Sequence, residues 1–218
     1  MELPDLESDV AVAVRPSHSG YDLAKRFLDI VIALVGLVAG SPVLAICAVL
    51  IRLDGPGPII HKRVVVGRGG RVFRAYKLRT MIADADRYLE EHRELLAAFD
   101  EAYKLKEDPR VTRVGKWLRK LSLDELPQLL NVLRGEMSLV GPRMIVPAEL
   151  QKYGVHREKL LTVKPGLTGL WQVAGRQRVR YVERIRLDMD YIDRRSLWVD
   201  LKIMVQTIPA LLSGRGAY

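Results

Sequence analysis

The chain has 218 residues, with 35 Lys and Arg against 26 Asp and Glu, a formal net charge of +9, and 49% hydrophobic residues. One cysteine and four scattered histidines exclude a disulfide framework and a zinc-type ligand spacing, and the length suffices for one cored domain with appendages. A basic and apolar chain of this kind suits an anionic partner: a nucleic acid, a membrane surface or a phosphorylated small molecule.

Residues 1–20 mix acids, prolines and small residues without sustained periodicity and read as a mobile cytoplasmic tail. Residues 30–51, IVIALVGLVAGSPVLAICAVLI, carry no charge. Their length matches the ~20 residues that cross a bilayer, so they read as a membrane segment. A buried central helix of a soluble domain is the alternative. Lys25 and Arg26 stand before the run, and Arg52, Lys62, Arg63, Arg68, Arg71 and Arg74 follow it, so positive charge draws both ends toward the cytoplasm. Ser41-Pro42 falls near the middle, where proline removes a backbone donor and disfavours helix at the residue before it. These residues by themselves leave a kinked single span and a chain that turns back about equally open.

Between residues 56 and 81 short β-branched runs, VVV and RVF, flank GRGG, which predicts a hairpin turning at 67–70. Residues 84–104 read as an amphipathic helix with Leu89, Leu96 and Phe99 on one side. Another helix is expected to start near Leu126 or Pro127 and run through Leu133. In a last helix, entered from 190–191, Leu197, Leu201, Met204, Val205, Ile208, Leu211 and Leu212 form one face that lines a core or lies on lipid.

Chemistry concentrates in residues 119–143, RKLSLDELPQLLNVLRGEMSLVGPR. Asp124 and Glu125 precede a helix start, where exposed N–H groups and the dipole favour negative charge. Ser122 to Glu125 also has the spacing of a capping box. Pro127 argues for a later helix start, because as a fifth helical residue it would forfeit an intrahelical bond. Arg119, Arg134, Arg143, Lys77 and Arg79 come from short motifs near turns and element ends. Such a set suits a diphosphate whose oxygens share a divalent cation with the two acids.

Five segments together resemble the bacterial sugar transferases, the monotopic phosphoglycosyl transferases that begin polyprenol-linked glycan assembly. They are KRFLDI at 25–30, the apolar run broken at Ser-Pro, FRAYKLRTM at 73–81, LRKLSLDELPQLLNVLRGEMSLVGPR at 118–143 and VKPGLTGLWQVAGR at 163–176. The resemblance implies a mainly α fold with a small β-hairpin, arranged in three parts. These are a tail at 1–20, a re-entrant helix-break-helix at 21–54, and a compact cytosolic catalytic domain with amphipathic interfacial helices at 55–218.

By the same resemblance Asp124 is the nucleophile that attacks the β-phosphate of a UDP-sugar, expels UMP and carries a covalent phosphosugar until polyprenyl (undecaprenyl) phosphate takes it. Glu125 completes the dyad at an Mg2+ site. Lys77, Arg79, Arg119, Arg143 and Arg176 are the substrate-binding positions. Lys25, Arg26 and Asp29 open the membrane hairpin at headgroup level, and Ser41 and Pro42 form its break. The implied location is the cytoplasmic face of the bacterial inner membrane, in exopolysaccharide, lipopolysaccharide or capsule synthesis, with membrane lipid as a partner and a homodimer compatible with the pattern.

The chain departs from the family pattern at Arg63 and Val65, where QxRxG is usual and RVVVG stands, at Met144 in place of the second proline of GPRP, and at Gln177-Arg178. It lacks the N-terminal four-helix bundle and the further soluble domain of larger relatives, and so reads as their catalytic core. The GLWQVAGR segment favours glucose or galactose as the sugar. Two other classes compete. A nucleic-acid-binding module is disfavoured by 6% aromatic content and the lack of a recognition motif. A membrane-associated phosphohydrolase would use the same acids but transfer to water.

Overall fold

The computed structural model describes residues 19–92, 94–95, 108–175 and 179–212. The tail up to residue 18, Leu96, Phe99 and the Arg176-Gln177-Arg178 stretch lie outside the described residues. The described chain is mainly helical with two small sheets.

The first helix, α1 (Ser19–Asp54), holds the apolar run and stays helical through Ser41 and Pro42. The expected break at this dipeptide is thus not an interruption of the helix. Pro42 has no N–H for the carbonyl four residues earlier, and the Ser41 hydroxyl takes that place, donating to Val38 O at 2.8 Å. One side of α1 meets the rest of the protein at Asp29, Ala33, Cys47 and Ile51, all buried, while Phe27, Val31, Leu34, Val35, Val38, Ile46, Val49 and Leu53 are exposed.

The predicted hairpin is present. Strands β1 (Ile60–Val66) and β2 (Val72–Leu78) pair antiparallel from Ile60 opposite Leu78 to Val66 opposite Val72, around a 3₁₀ turn at Arg68–Gly70. The segment after it forms α2 (Ala85–Glu91), with Leu89 buried, and the helix expected over 84–104 is broken at His92, which has non-helical backbone angles. Helix α3 (Arg113–Lys120) is capped by Thr112, whose hydroxyl accepts from Gly115 N at 3.0 Å.

A 3₁₀ turn at Leu123–Gln128 leads into α4 (Leu129–Arg134). The α-helix therefore starts beyond the expected Leu126 or Pro127, since Pro127 sits in the tighter turn. Strand β3 (Ser138–Val140) pairs in parallel with β4 (Gly166–Thr168). A Cβ on Gly166 would lie 2.1 Å from Gly141 N, so only glycine lets the VGPR and KPGLTG segments touch backbone to backbone. Between them run a 3₁₀ stretch at Pro147–His156 and α5 (Arg157–Leu160).

Helices α6 (Leu170–Ala174), α7 (Tyr181–Arg194) and α8 (Leu197–Leu212) complete the described chain. The main core joins Ala33 of α1 to Val132, Met137, Val140, Ile145, Tyr153, Leu161, Met189, Tyr191 and Ile203, and a second cluster joins Cys47 and Ile51 to Leu78 and Leu118. On α8 the two sides diverge. Ile203 is buried, whereas Leu201, Val205, Ile208 and the 74% exposed Trp198 face outward, so most of the predicted apolar face lies outside the core.

Candidate active site

Asp124 and Glu125 occupy the 3₁₀ turn ahead of α4. Ser122 enters the turn at φ 55, ψ 24, a left-handed conformation that costs a residue with a Cβ about 1–2 kcal/mol. It is the one non-glycine with positive φ among the described residues. Its side chain makes no capping bond, so the capping-box spacing is not used for a Ser122 cap.

Asp124 is buried, 8% exposed. Burial pushes its carboxyl up to about 6 from an ordinary 3.8, with Lys77 and Arg119 pulling it down and the neighbouring Glu125 pushing it further up. Lys77, on β2, donates to Glu125 Oε1 at 2.6 Å. Asn131 sets that alignment. Fully buried in α4, it accepts from Tyr76 N at 3.0 Å and donates to Arg74 O at 2.8 Å, fastening β2 to the helix behind the dyad.

Arg119 arrives from the end of α3, and its Nε donates to Thr80 Oγ1 at 3.0 Å. Burial lowers its pKa while Asp124 opposes that pull. The helix can lie against Thr80 because residue 115 is glycine: a Cβ there would sit 2.0 Å from Thr80 O.

The other sequence-derived residues separate by position. Arg79 donates to the carbonyls of Ile51 at 2.7 Å and Gly55 at 2.6 Å, and to that of Pro56, tying off the end of α1. Arg134 stacks over the Tyr76 ring. Lys25 donates to Asp200 Oδ2 at 2.7 Å, and Arg26 donates to the α4 carbonyls of Val132 and Leu133 at 2.6 and 2.8 Å. Asp29 accepts from Leu139 N at 3.0 Å and Ser138 Oγ at 3.2 Å. This trio clamps the start of α1 to the domain. Asp200 completes the clamp with bonds from Tyr21 and Tyr191. Arg143 lies over the Trp171 ring, with its N–H on Asp188. Arg176 lies outside the described residues.

Arg63 connects the two groups of charges. Its guanidinium is 3.8 Å from Glu149, and burial lowers its pKa while Glu149 and Glu125 oppose and Arg143 and Arg119 assist. Sequence reasoning passed over Arg63 as a departure and did not single out Thr80, Asn131, Trp171 or Arg184. An asparagine inside the apolar helix LLNVLR was the available signal for Asn131.

The dyad fits Mg2+ in chemistry, since both members are hard oxygen donors and one of them, Asp124, is a buried carboxylate that a cation would stabilise. Among the described residues no three or more His, Cys, Asp or Glu side chains form a metal cage. Such an ion would therefore complete its shell with substrate phosphate and water, as is usual for this metal.

The model of the family described as "Bacterial sugar transferase" matches residues 20–214. The chain belongs to this family. The exopolysaccharide production protein ExoY of Sinorhizobium fredii is 45% identical over 210 residues, covering 94% of this chain and 92% of that protein. The UDP-glucose:undecaprenyl-phosphate glucose-1-phosphate transferase of Caulobacter vibrioides is 44% identical over 90% of this chain and 73% of its own length. The undecaprenyl-phosphate galactose phosphotransferase of Salmonella typhimurium is 44% identical over 89% of this chain and 41% of its own length. The chain thus spans nearly all of one relative and about two fifths of another. As a bacterial sugar transferase it is an enzyme of the transferase class. Its long apolar helix agrees with the membrane association of undecaprenyl-phosphate enzymes.

Proposed function

We propose that this protein transfers a hexose 1-phosphate from a UDP-sugar to undecaprenyl phosphate and releases UMP, as the first membrane step of an exopolysaccharide, lipopolysaccharide or capsule pathway. The observation that carries the reading is a buried carboxyl, Asp124, held among Lys77, Glu125 and Arg119 beside a helix whose outer face is apolar. The names of the relatives support a lipid phosphate acceptor.

In the first displacement an Asp124 oxygen forms a bond to the β-phosphorus of the donor while the bond from that phosphorus to the bridging oxygen breaks, and UMP leaves with the electron pair. In the second, an oxygen of the lipid phosphate attacks the same phosphorus and the aspartyl bond breaks, restoring the carboxylate and giving a lipid-linked sugar diphosphate. Two displacements with a carboxylate nucleophile replace one difficult transfer. Lys77 and Arg119 hold positive charge beside the reacting phosphate, where phosphoryl transfer gains most. A bound Mg2+ on Asp124 and Glu125 would supply further charge neutralisation.

A monotopic, re-entrant placement of α1 at the cytoplasmic face of the inner membrane belongs to the same proposal. One domain grips α1 near its start through Arg26 and Asp29 and near its end through Cys47, Ile51 and Arg79. From residue 29 to 51 a straight helix covers about 33 Å at 1.5 Å per residue, roughly the hydrocarbon thickness of a bilayer. A transverse helix would carry these two grips to opposite surfaces. The exposed side of α1 and Trp198 with the outer face of α8 supply apolar surface for lipid.

The test uses detergent-solubilised protein with Mg2+, a panel of UDP-hexoses and undecaprenyl phosphate. UMP release that requires the lipid, with a lipid-linked sugar diphosphate as product, is the expected result. Equal release without lipid would replace the transferase by a phosphohydrolase. Single cysteines at positions 15 and 74 are expected to be labelled from the same side of the membrane, and labelling from opposite sides would make α1 a span.

A further inference from the structure

Beyond the dyad the structure holds a second group of cations, each with a buried side-chain donor that has no hydrogen-bond partner. Trp171 on α6 and Arg184 on α7 are each 6% exposed. The guanidinium carbons of Arg143 and Arg184 lie 5.1 and 4.9 Å from the centroid of the Trp171 ring, so two like charges share one indole. Among the described residues, Arg143 Nε, Arg184 Nε and Trp171 Nε1 are buried without a hydrogen-bond partner.

Of the nearby carboxylates, Asp188 accepts from Tyr153 Oη at 2.8 Å and from Arg143 N at 3.1 Å, whereas Glu149 lies 3.8 Å from Arg63 and its Oε1 is buried without a hydrogen-bond partner. Every unmet atom of the trio is a donor, and unmet buried donors are costly. A ligand that satisfies them brings acceptors and negative charge, and two guanidinium groups with an indole N–H match the oxygens of a phosphate. The hairpin links the group to the dyad: Arg63 on β1, 3.8 Å from Glu149, stands two residues from His61, whose partner across the hairpin is Lys77, the residue bonded to Glu125.

We propose that Arg184 and Trp171, together with Arg143, form a phosphate-binding rack beside the dyad that holds a phosphate monoester other than the one under attack. Resting on the transferase reading, the rack would seat the nucleotide phosphate as it departs or the lipid phosphate as it approaches. Both present the same dianionic oxygens, and the two displacements place them on the same side of the reacting phosphorus.

The experiment is calorimetric titration of the full detergent-solubilised chain with UMP, with farnesyl phosphate and with uridine, comparing wild type, Arg184→Gln and Trp171→Phe. Loss of a charged contact predicts affinity about tenfold or more weaker for Arg184→Gln. Trp171→Phe keeps the ring, removes only the N–H donor and predicts a smaller loss. Weakening for UMP alone or for farnesyl phosphate alone supports the rack and identifies which phosphate it takes, and weakening for both supports its use in both displacements. Unchanged affinity for both phosphates in either folded variant overturns it, as does an equal loss for uridine. The titrations read the rack without turnover, so weakened phosphate binding in a protein that forms no lipid-linked sugar would leave the rack standing and remove the transferase reading.

Discussion

Lys77 Nζ lies 2.6 Å from Glu125 Oε1, one residue from the buried carboxyl of Asp124. This contact joins the end of the hairpin to the acidic turn and puts a positive charge where the reacting phosphate would gather. Lys77 is also the strongest influence holding the Asp124 pKa down. Lys77→Gln is expected to raise that pKa further and to move the acid limb of UMP release to higher pH. The rate is expected to fall by about 10²–10³, as for loss of one preorganised charge contact. Lys77→Arg should recover part of the rate, and a pH profile of kcat/KM for the three proteins checks both expectations.

Asp124 itself opposes stability when ionised. Its carboxyl holds a proton up to about 6 in the folded chain against 3.8 ordinarily, so the folded state binds more protons across that window. The stabilisation is complete below the ordinary value and is lost as pH rises through about 6, a swing on the order of 3 kcal/mol. Asp124→Asn is expected to abolish transfer and the covalent phosphosugar, yet to unfold at higher temperature than wild type at pH 8 and at a similar temperature at pH 3.5. Thermal unfolding in chelator at the two pH values measures this.

Ser41 and Pro42 act as a pair. The Ser41 hydroxyl occupies Val38 O, the carbonyl that Pro42 cannot serve. On a helix with an apolar exposed side, an unmet carbonyl costs about 1–3 kcal/mol. Ser41→Ala is expected to lower stability in the wild-type background and to have little effect once Pro42→Ala has restored the N–H. A double-mutant cycle by thermal unfolding reads the coupling directly.

The hairpin, its turn and the helix after Asp124, apart from its start, were legible because period, glycine and proline are local signals. The parallel β3 and β4 pair was not, since strands of three residues display no period. Neither was the clamp around Asp200, which joins Tyr21 and Lys25 across more than 170 residues. Arg79 illustrates the limit within the site: its motif announced a cation, but its guanidinium ends on three backbone carbonyls at the close of α1. Charge is readable in sequence, whereas the group that a long side chain reaches is a tertiary fact. Trp171 and Arg184, which lie beside the sequence-derived Arg143, were missed for the same reason.

Gly115 ties packing to the site. A Cβ at this position would lie 2.0 Å from Thr80 O and 2.7 Å from Thr80 C, and backbone atoms cannot yield as a flexible side chain can. Gly115→Ala is expected to lever α3 away from Thr80, at about 1–3 kcal/mol. It should lengthen the Arg119 to Thr80 hydrogen bond, which is 3.0 Å in the intact protein. Activity should then fall together with stability. Gly20→Ala is the matched control, because a Cβ there meets nothing within 4 Å and alanine favours helix by up to about 1 kcal/mol. Equal unfolding temperatures and equal UMP release in the two variants would mean that the contact of α3 with Thr80 does not position Arg119.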